Sequence, residues 1–266
     1  MKKILLLSAG ILCVASSSFG AVIFSDDFNT YSNGNLTNQG PWLQTGASVV
    51  NLIQVASGVV TMQNNGQDAY AAFSSPYTIA DGTSFYIGLT LNVSAAQTGD
   101  YFLHVTPSAG NTSAFFERLY VQASGAGYVL GYLETSGTGG AVNYGSTVLN
   151  FNTDYRTVIA YNAVAGPVND TASLYVNPTD LLVEANNTAY VAGDTWTTVS
   201  AETNQVAAIN LRQGSSSSAP TLSLDNLIVG STFADVAAVP EPTSLGFLGI
   251  GLVGFFASRR LFVRRV

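Results

Sequence analysis

Between Ser84 and Val93 the apolar side chains fall on every second residue. Phe85, Ile87, Leu89, Leu91 and Val93 share one face, and Tyr86, Gly88, Thr90 and Asn92 share the other. A period of two is the signature of a strand with one face on a core. Tyr155–Tyr161 repeats it, and so do Ala207, Ile209 and Leu211 against Ala208, Asn210 and Arg212. Shorter runs of the same kind predict further strands at 22–28, 47–55, 58–63, 69–73, 100–106, 115–123, 127–133, 171–176 and 221–229. Asn64-Asn-Gly66, Asp81-Gly82 and Gly137-Thr-Gly-Gly140 punctuate them as turns. No 12-residue window between the two ends carries a helical stripe. About a dozen strands at this spacing predict an all-β sandwich or barrel.

The charges mark where that domain begins and ends. Residues 21–238 hold Arg118, Arg156 and Arg212, no lysine, and fifteen of the sixteen carboxylates, a net of −12. Such a span has no basic stripe for phosphates, which makes nucleic acid a poor partner and disfavours anionic lipid surfaces. The other cations sit at the ends. Lys2-Lys3, the apolar run Ile4–Val14 and the small residues up to Gly20 have the order of a secretory signal peptide, 1–20. Cleavage after Gly20 removes Cys13, the one cysteine, so the exported chain is expected to stand without disulfides. At the other end, residues 243–258 are uncharged and rich in Gly, Leu and Phe. Arg259, Arg260, Arg264 and Arg265 follow them. A 16-residue helix spans roughly 24 Å at about 1.5 Å per residue, a short membrane segment. The arginines predict a cytoplasmic C-terminus and leave the domain outside. Residues 21–229 then form the β domain, 230–239 a linker, and 240–266 a C-terminal signal.

Val239-Pro240-Glu241-Pro242, the short Gly/Leu/Phe-rich helix and the arginine cluster together resemble the PEP-CTERM sorting signal. The resemblance implies recognition by an exosortase, a membrane cysteine protease–transpeptidase. It also implies passage through the export machinery of the inner membrane of a Gram-negative bacterium and processing near Pro240-Glu241-Pro242. The membrane anchor is then transient, and the mature chain goes to the cell surface or an extracellular matrix. Within the domain, Phe24-Ser-Asp-Asp-Phe28 and Leu222-Ser-Leu-Asp-Asn-Leu-Ile-Val229 resemble the edges of concanavalin A-like (laminin G-like) jelly rolls. In that fold the first and last strands lie together. Its members bind glycans, cleave them, or only mediate contacts, and fold alone does not decide among these.

Calcium ties the terminal strands in many such sandwiches, so the resemblance makes Asp26, Asp27 and Asp225 candidate ligands. Calcium takes six to eight oxygens, and backbone carbonyls would have to contribute. With a single histidine, His104, and no cysteine in the exported chain, transition-metal sites are disfavoured. No Gly-x-Ser-x-Gly elbow accompanies His104, and Glu117, Glu134, Glu184 and Glu202 each stand alone in sequence. Tyr101, His104, Arg118, Tyr120 and Gln122 are the residue types of jelly-roll polysaccharide lyases, without that family's spacing. Trp42, Trp196 and the many tyrosines fit either a sugar-stacking platform or a sandwich core. No catalytic residue is assigned. The expectation is a non-catalytic surface or matrix sandwich that contacts extracellular polysaccharide. The alternatives are a glycan-cleaving enzyme on the same fold, either glycoside hydrolase or lyase, and a structural surface protein that self-associates through its strand edges.

Overall fold

A computed structural model describes residues 20–134, 140–195 and 202–239. The signal peptide, the Gly137–Gly139 turn, Trp196, Pro240–Pro242, the apolar segment and the arginine cluster lie outside the described residues. In chain order the strands are β1 (Val22–Asp26), β2 (Gly34–Asn35), β3 (Trp42–Thr45), β4 (Gln54–Ala56), β5 (Val59–Met62), β6 (Asp68–Thr78), β7 (Ser84–Ala95) and β8 (Asp100–Thr106). They continue as β9 (Phe116–Ser124), β10 (Gly127–Leu133), β11 (Asn143–Tyr144), β12 (Asp154–Asn162), β13 (Thr171–Val176), β14 (Val191–Thr195), β15 (Gln205–Leu211) and β16 (Thr221–Gly230). One helix follows, α1 (Phe233–Ala237).

Two antiparallel sheets enclose the core. The first runs β14-β13-β12-β7-β16-β5-β4-β2, with β1 paired to β16. The second runs β11-β10-β9-β8-β15-β6-β3. The chain changes sheet on entering and leaving β3, between β5 and β6, β6 and β7, β7 and β8, and β11 and β12, and on entering and leaving β15, so the sheets are woven together. The alternation in β7 has the expected result. Phe85, Ile87, Leu89, Leu91 and Val93 are buried between the sheets, with Trp42, Phe28, Tyr128, Tyr132 and Tyr161. β1 and β16 pair as the edge motifs imply, with Ser25 opposite Ile228 and Asp26 opposite Leu227.

Three segments differ from the sequence reading. The strand expected at 47–55 shrinks to Gln54–Ala56. Asn51 turns there with φ of 45°, Val49 and Val50 face solvent, and Ile53 N donates to the Gln67 side chain instead of a neighbouring strand. Trp42–Thr45, where no strand is expected, form the edge strand β3, paired with β6.

The third is the linker expected at 230–239. Residues 233–237 fold as α1 and cover the outer face of the first sheet. Phe233, Val236 and Ala237 pack with Tyr86, Val158, Ala160, Tyr175 and Ile228 in a second apolar cluster. The helix start is written locally. Thr232 accepts from Asp235 N while the Asp235 carboxylate accepts from Thr232 N, a reciprocal cap.

Candidate functional site

Asp26, Asp27 and Asp225 all lie where the first and last strands meet; burial raises the Asp225 pKa, with Asp27 and Asp26 adding to the rise and Asn226 N and Arg156 opposing it. They do not form a cation cage. Asp26 accepts three hydrogen bonds. It takes the indole N–H of buried Trp42 at 2.8 Å, the Tyr31 hydroxyl at 2.5 Å and Phe28 N at 2.8 Å. Asp27 accepts from Asn29 N, and Asp225 accepts from Asn226 N at 2.6 Å. Among the described residues no three His, Cys, Asp or Glu side chains are grouped to hold a metal ion. The donor set therefore does not fit calcium. Asp26 instead pins the first strand to the Trp42 core.

The side chains that do converge are on the outer face of the second sheet. β8 supplies Tyr101 and His104, β9 supplies Arg118 and Tyr120, and β15 supplies Asn210, directly opposite His104 in register. Arg212 follows β15. Tyr101 is the hub. Its ring lies 5.5 Å from the His104 ring, 5.4 Å from Tyr120 and 6.2 Å from Phe115. The Arg212 guanidinium stacks over it at 4.2 Å while pairing with Asp100 at 2.7 Å, and Arg118 lies over it at 5.7 Å. Four of the five residues set apart for their lyase-like types thus come together. The fifth, Gln122, donates to Thr98 O.

A cavity of about 220 Å³ opens among Asp68, Tyr101, His104, Phe115, Asn210 and Arg212. It is smaller than the roughly 300–1,000 Å³ of sites for drug-sized ligands, and takes one ring-sized group. Its floor is polar. His104 Nδ1 and Asn210 Oδ1 are buried and have no hydrogen-bond partner among the described residues. His104 is 7% exposed and Asn210 2%. A buried polar atom without a partner costs about 1–3 kcal/mol, so the pair favours a ligand that supplies the bonds. Burial, reinforced by Arg212 and Arg118, lowers the His104 pKa to about 3 and keeps the imidazole neutral. Burial raises both Tyr101 and Tyr120, and raises Asp68 despite its hydrogen bond from Gln213 N.

The glutamates are elsewhere. Glu184 accepts the hydroxyls of Tyr86 and Tyr175, each at 2.9 Å, beside a separate cleft at α1. Glu202 accepts the backbone N–H groups of Asn169 and Asp170. Glu117 and Glu134, distant in sequence, are brought together where β9 meets the end of β10. Both are fully buried, with Glu117 N donating to Glu134 O. None of the four lines the His104 cavity.

Several solved structures are similar to this chain at low identity. The carbohydrate recognition domain of Emp47p is 9% identical with a TM-score of 0.48, covering 82% of this chain and 99% of its own. Domain 4 of AbnA, an extracellular arabinanase of Geobacillus stearothermophilus in complex with arabinotriose, is 12% identical with a TM-score of 0.46, covering 82% and 99%. A β-1,3-glucanase from Mycobacterium marinum is 8% identical with a TM-score of 0.45, covering 79% and 99%. Likeness at this level says nothing of what this chain binds. No curated protein matches the chain in sequence. A family model, the PEP-CTERM protein-sorting motif, matches residues 238–260, which include Val239–Pro242, the apolar segment, Arg259 and Arg260. This chain is thus a two-sheet β-sandwich that carries a PEP-CTERM protein-sorting motif at its C-terminus, directly after α1.

Proposed function

We propose that this is an exported, exosortase-processed protein of the Gram-negative cell surface or extracellular matrix, whose sandwich binds a neutral glycan without cleaving it. The contact is the His104 cavity. Phe115 offers its ring to the apolar side of a sugar, Tyr101 borders it with Arg212 stacked on its own ring, and His104 and Asn210 offer polar atoms to its hydroxyls. The observation that carries this reading is the pair of buried, unpartnered atoms His104 Nδ1 and Asn210 Oδ1 beside those rings. The net of −12 across the domain disfavours polyanionic glycans.

Electrostatics argues against catalysis at the same cavity. A general acid or base works best with a pKa near the working pH. His104 is far below that range and Tyr101 and Tyr120 are pushed further above it, while Asp68, raised by burial, accepts from Gln213 N and lines the cavity without the second carboxyl that glycoside hydrolysis uses. The test is co-sedimentation of residues 21–239 with extracellular polysaccharide from the source organism. Saturable pelleting that persists in chelator is expected. Tyr101→Ala should weaken it up to about tenfold, the value of one lost aromatic contact. No saturable pelleting by the folded wild-type domain refutes the glycan reading.

A further inference from the structure

The domain grips its own chain up to the residue at which the sorting motif begins. α1 ends at Ala237 and the motif starts at Ala238. Phe233 is wedged edge-on between Tyr86 at 6.0 Å and Tyr175 at 5.4 Å. Buried Arg156, reaching through the first sheet's outer face, donates all its contacts to backbone carbonyls. Nη1 bonds Asn226 O at 2.9 Å, Nε bonds Ala237 O at 3.3 Å, and Nη2 bonds Val236 O. Carbonyls at a helix C-terminus lack partners within the helix, and here a guanidinium supplies them. Burial pushes the Arg156 pKa down to about 10, partly offset by Asp225, so the cation persists at neutral pH.

The surrounding residues make room for this. A Cβ at Gly88, under the helix, would fall on Val236 O and on the Arg156 fork. Gly88 has ordinary φ, so close approach explains the glycine here, not backbone strain. Just before the helix, Ser231 N bonds Ala21 O at 3.0 Å and Ala21 N bonds Ser231 Oγ at 2.8 Å, stitching the start of the domain to it.

We propose that α1 and Arg156 form a latch that sets the upstream limit of the sorting segment and slows its processing. The proposal rests on the reading that the chain is an exosortase substrate. A protease needs its substrate extended over several residues. Only Ala238 and Val239 separate the latched helix from Pro240. Cleavage breaks one peptide bond. The acyl carbon passes to water or to an amine acceptor, and the membrane segment leaves with a new, protonated amino group. With the latch closed, that bond lies at or beyond Ala238, and the mature protein keeps α1. When access requires the latch to open, the rate follows the small open population. Arg156 and Phe233 are then positioning residues for a reaction they do not touch.

The test uses the full chain in its exosortase-bearing host, with pulse-labelled conversion and intact mass of the mature form. Eight Gly/Ser residues inserted after Ala238 lengthen the tether without touching the fold. This variant should be processed about tenfold faster at unchanged domain stability. Arg156→Lys, which keeps the charge and loses the planar fork, and Phe233→Ala should also accelerate conversion and admit cuts within 231–237. A wild-type mature C-terminus upstream of Ala237 overturns the latch. So does an insertion variant converted at the wild-type rate. A wild-type chain that retains its membrane segment overturns the sorting reading, and the latch with it.

Discussion

Replacing Asp26 separates a structural role from a metal-binding one. Asp26→Ala strips the acceptor from three donors: the Trp42 indole, the Tyr31 hydroxyl and Phe28 N. Trp42 is 0% exposed, so its N–H stays dry and unpaired, at about 1–3 kcal/mol. Phe28 N sits in a turn with φ of 53°, held there by the Asp26 oxygen, and its loss adds about 1 kcal/mol. Tyr31 is only partly buried and recovers a bond to water. The sum is about 2–4 kcal/mol. For a domain of this size that lowers Tm by roughly 4–16 °C, at about 2–4 °C per kcal/mol. Urea unfolding of residues 21–239 measures it, with Trp42→Phe and the double variant closing a cycle. Since Trp42→Phe removes the same bond, a coupling of about 1–2 kcal/mol is expected. A bound calcium would add stability by mass action in the wild type and lose it in the variant. The wild-type Tm is instead expected to be equal in calcium and in chelator. A cost below about 1 kcal/mol, or calcium stabilisation that vanishes in Asp26→Ala, refutes the role assigned to Asp26.

Other outcomes follow from the same geometry. The folded pKa of His104, about 3, lies below its ordinary value of 6.5, so its contribution is fully present above pH 6.5 and lost as pH falls. Stability should drop by about 1.4 kcal/mol per pH unit between about pH 6 and 4.5, and His104→Gln should flatten that slope in urea titrations. Asp68, Asp170 and Asp225, raised mainly by burial, act in the opposite direction as the carboxylate range is approached. Gly88→Ala should displace α1 at a cost of about 1–3 kcal/mol and expose 231–237 to limited proteolysis, which the wild type resists. Gln213→Ala removes a buried amide that bonds Gln63 N, Asn51 O and Gln67 O, and should cost about 2–3 kcal/mol in the same unfolding assay.

The strands were legible wherever burial of one face imposed a period of two, as in β7 and β12. They were least legible where side chains replaced strand pairing. Asn51 and Gln67 carry the hydrogen bonds that a strand at 47–55 would have made, and nothing in that apolar run announces it. Helix α1 had a readable start in Thr232-Phe-Ala-Asp235, but five residues are too few to show a helical period. The site was half legible. Tyr101, His104, Arg118 and Tyr120 stood out by type, while their meeting depends on the pairing of β8 with β9. Asn210 and Arg212 showed only as one face of an alternating strand and Phe115 only as the start of another, and none was marked as a site residue. The acidic motif Phe24-Ser-Asp-Asp-Phe28 was visible, yet its partner Trp42 lies sixteen residues beyond Asp26, and the bond that gives Asp26 its role exists only in the folded core.

The central claim is that His104 and Asn210 meet a neutral glycan, and the imidazole itself can report it. The chain has one histidine, so a ¹⁵N spectrum of the ring contains a single pair of signals. At pH 7 those signals are expected at neutral-imidazole positions. On titration with the polysaccharide the Nδ1 signal should shift saturably, and Asn210→Ala should weaken the response. Ring signals that stay fixed while the domain pellets with the polysaccharide would place the contact elsewhere and contradict the account.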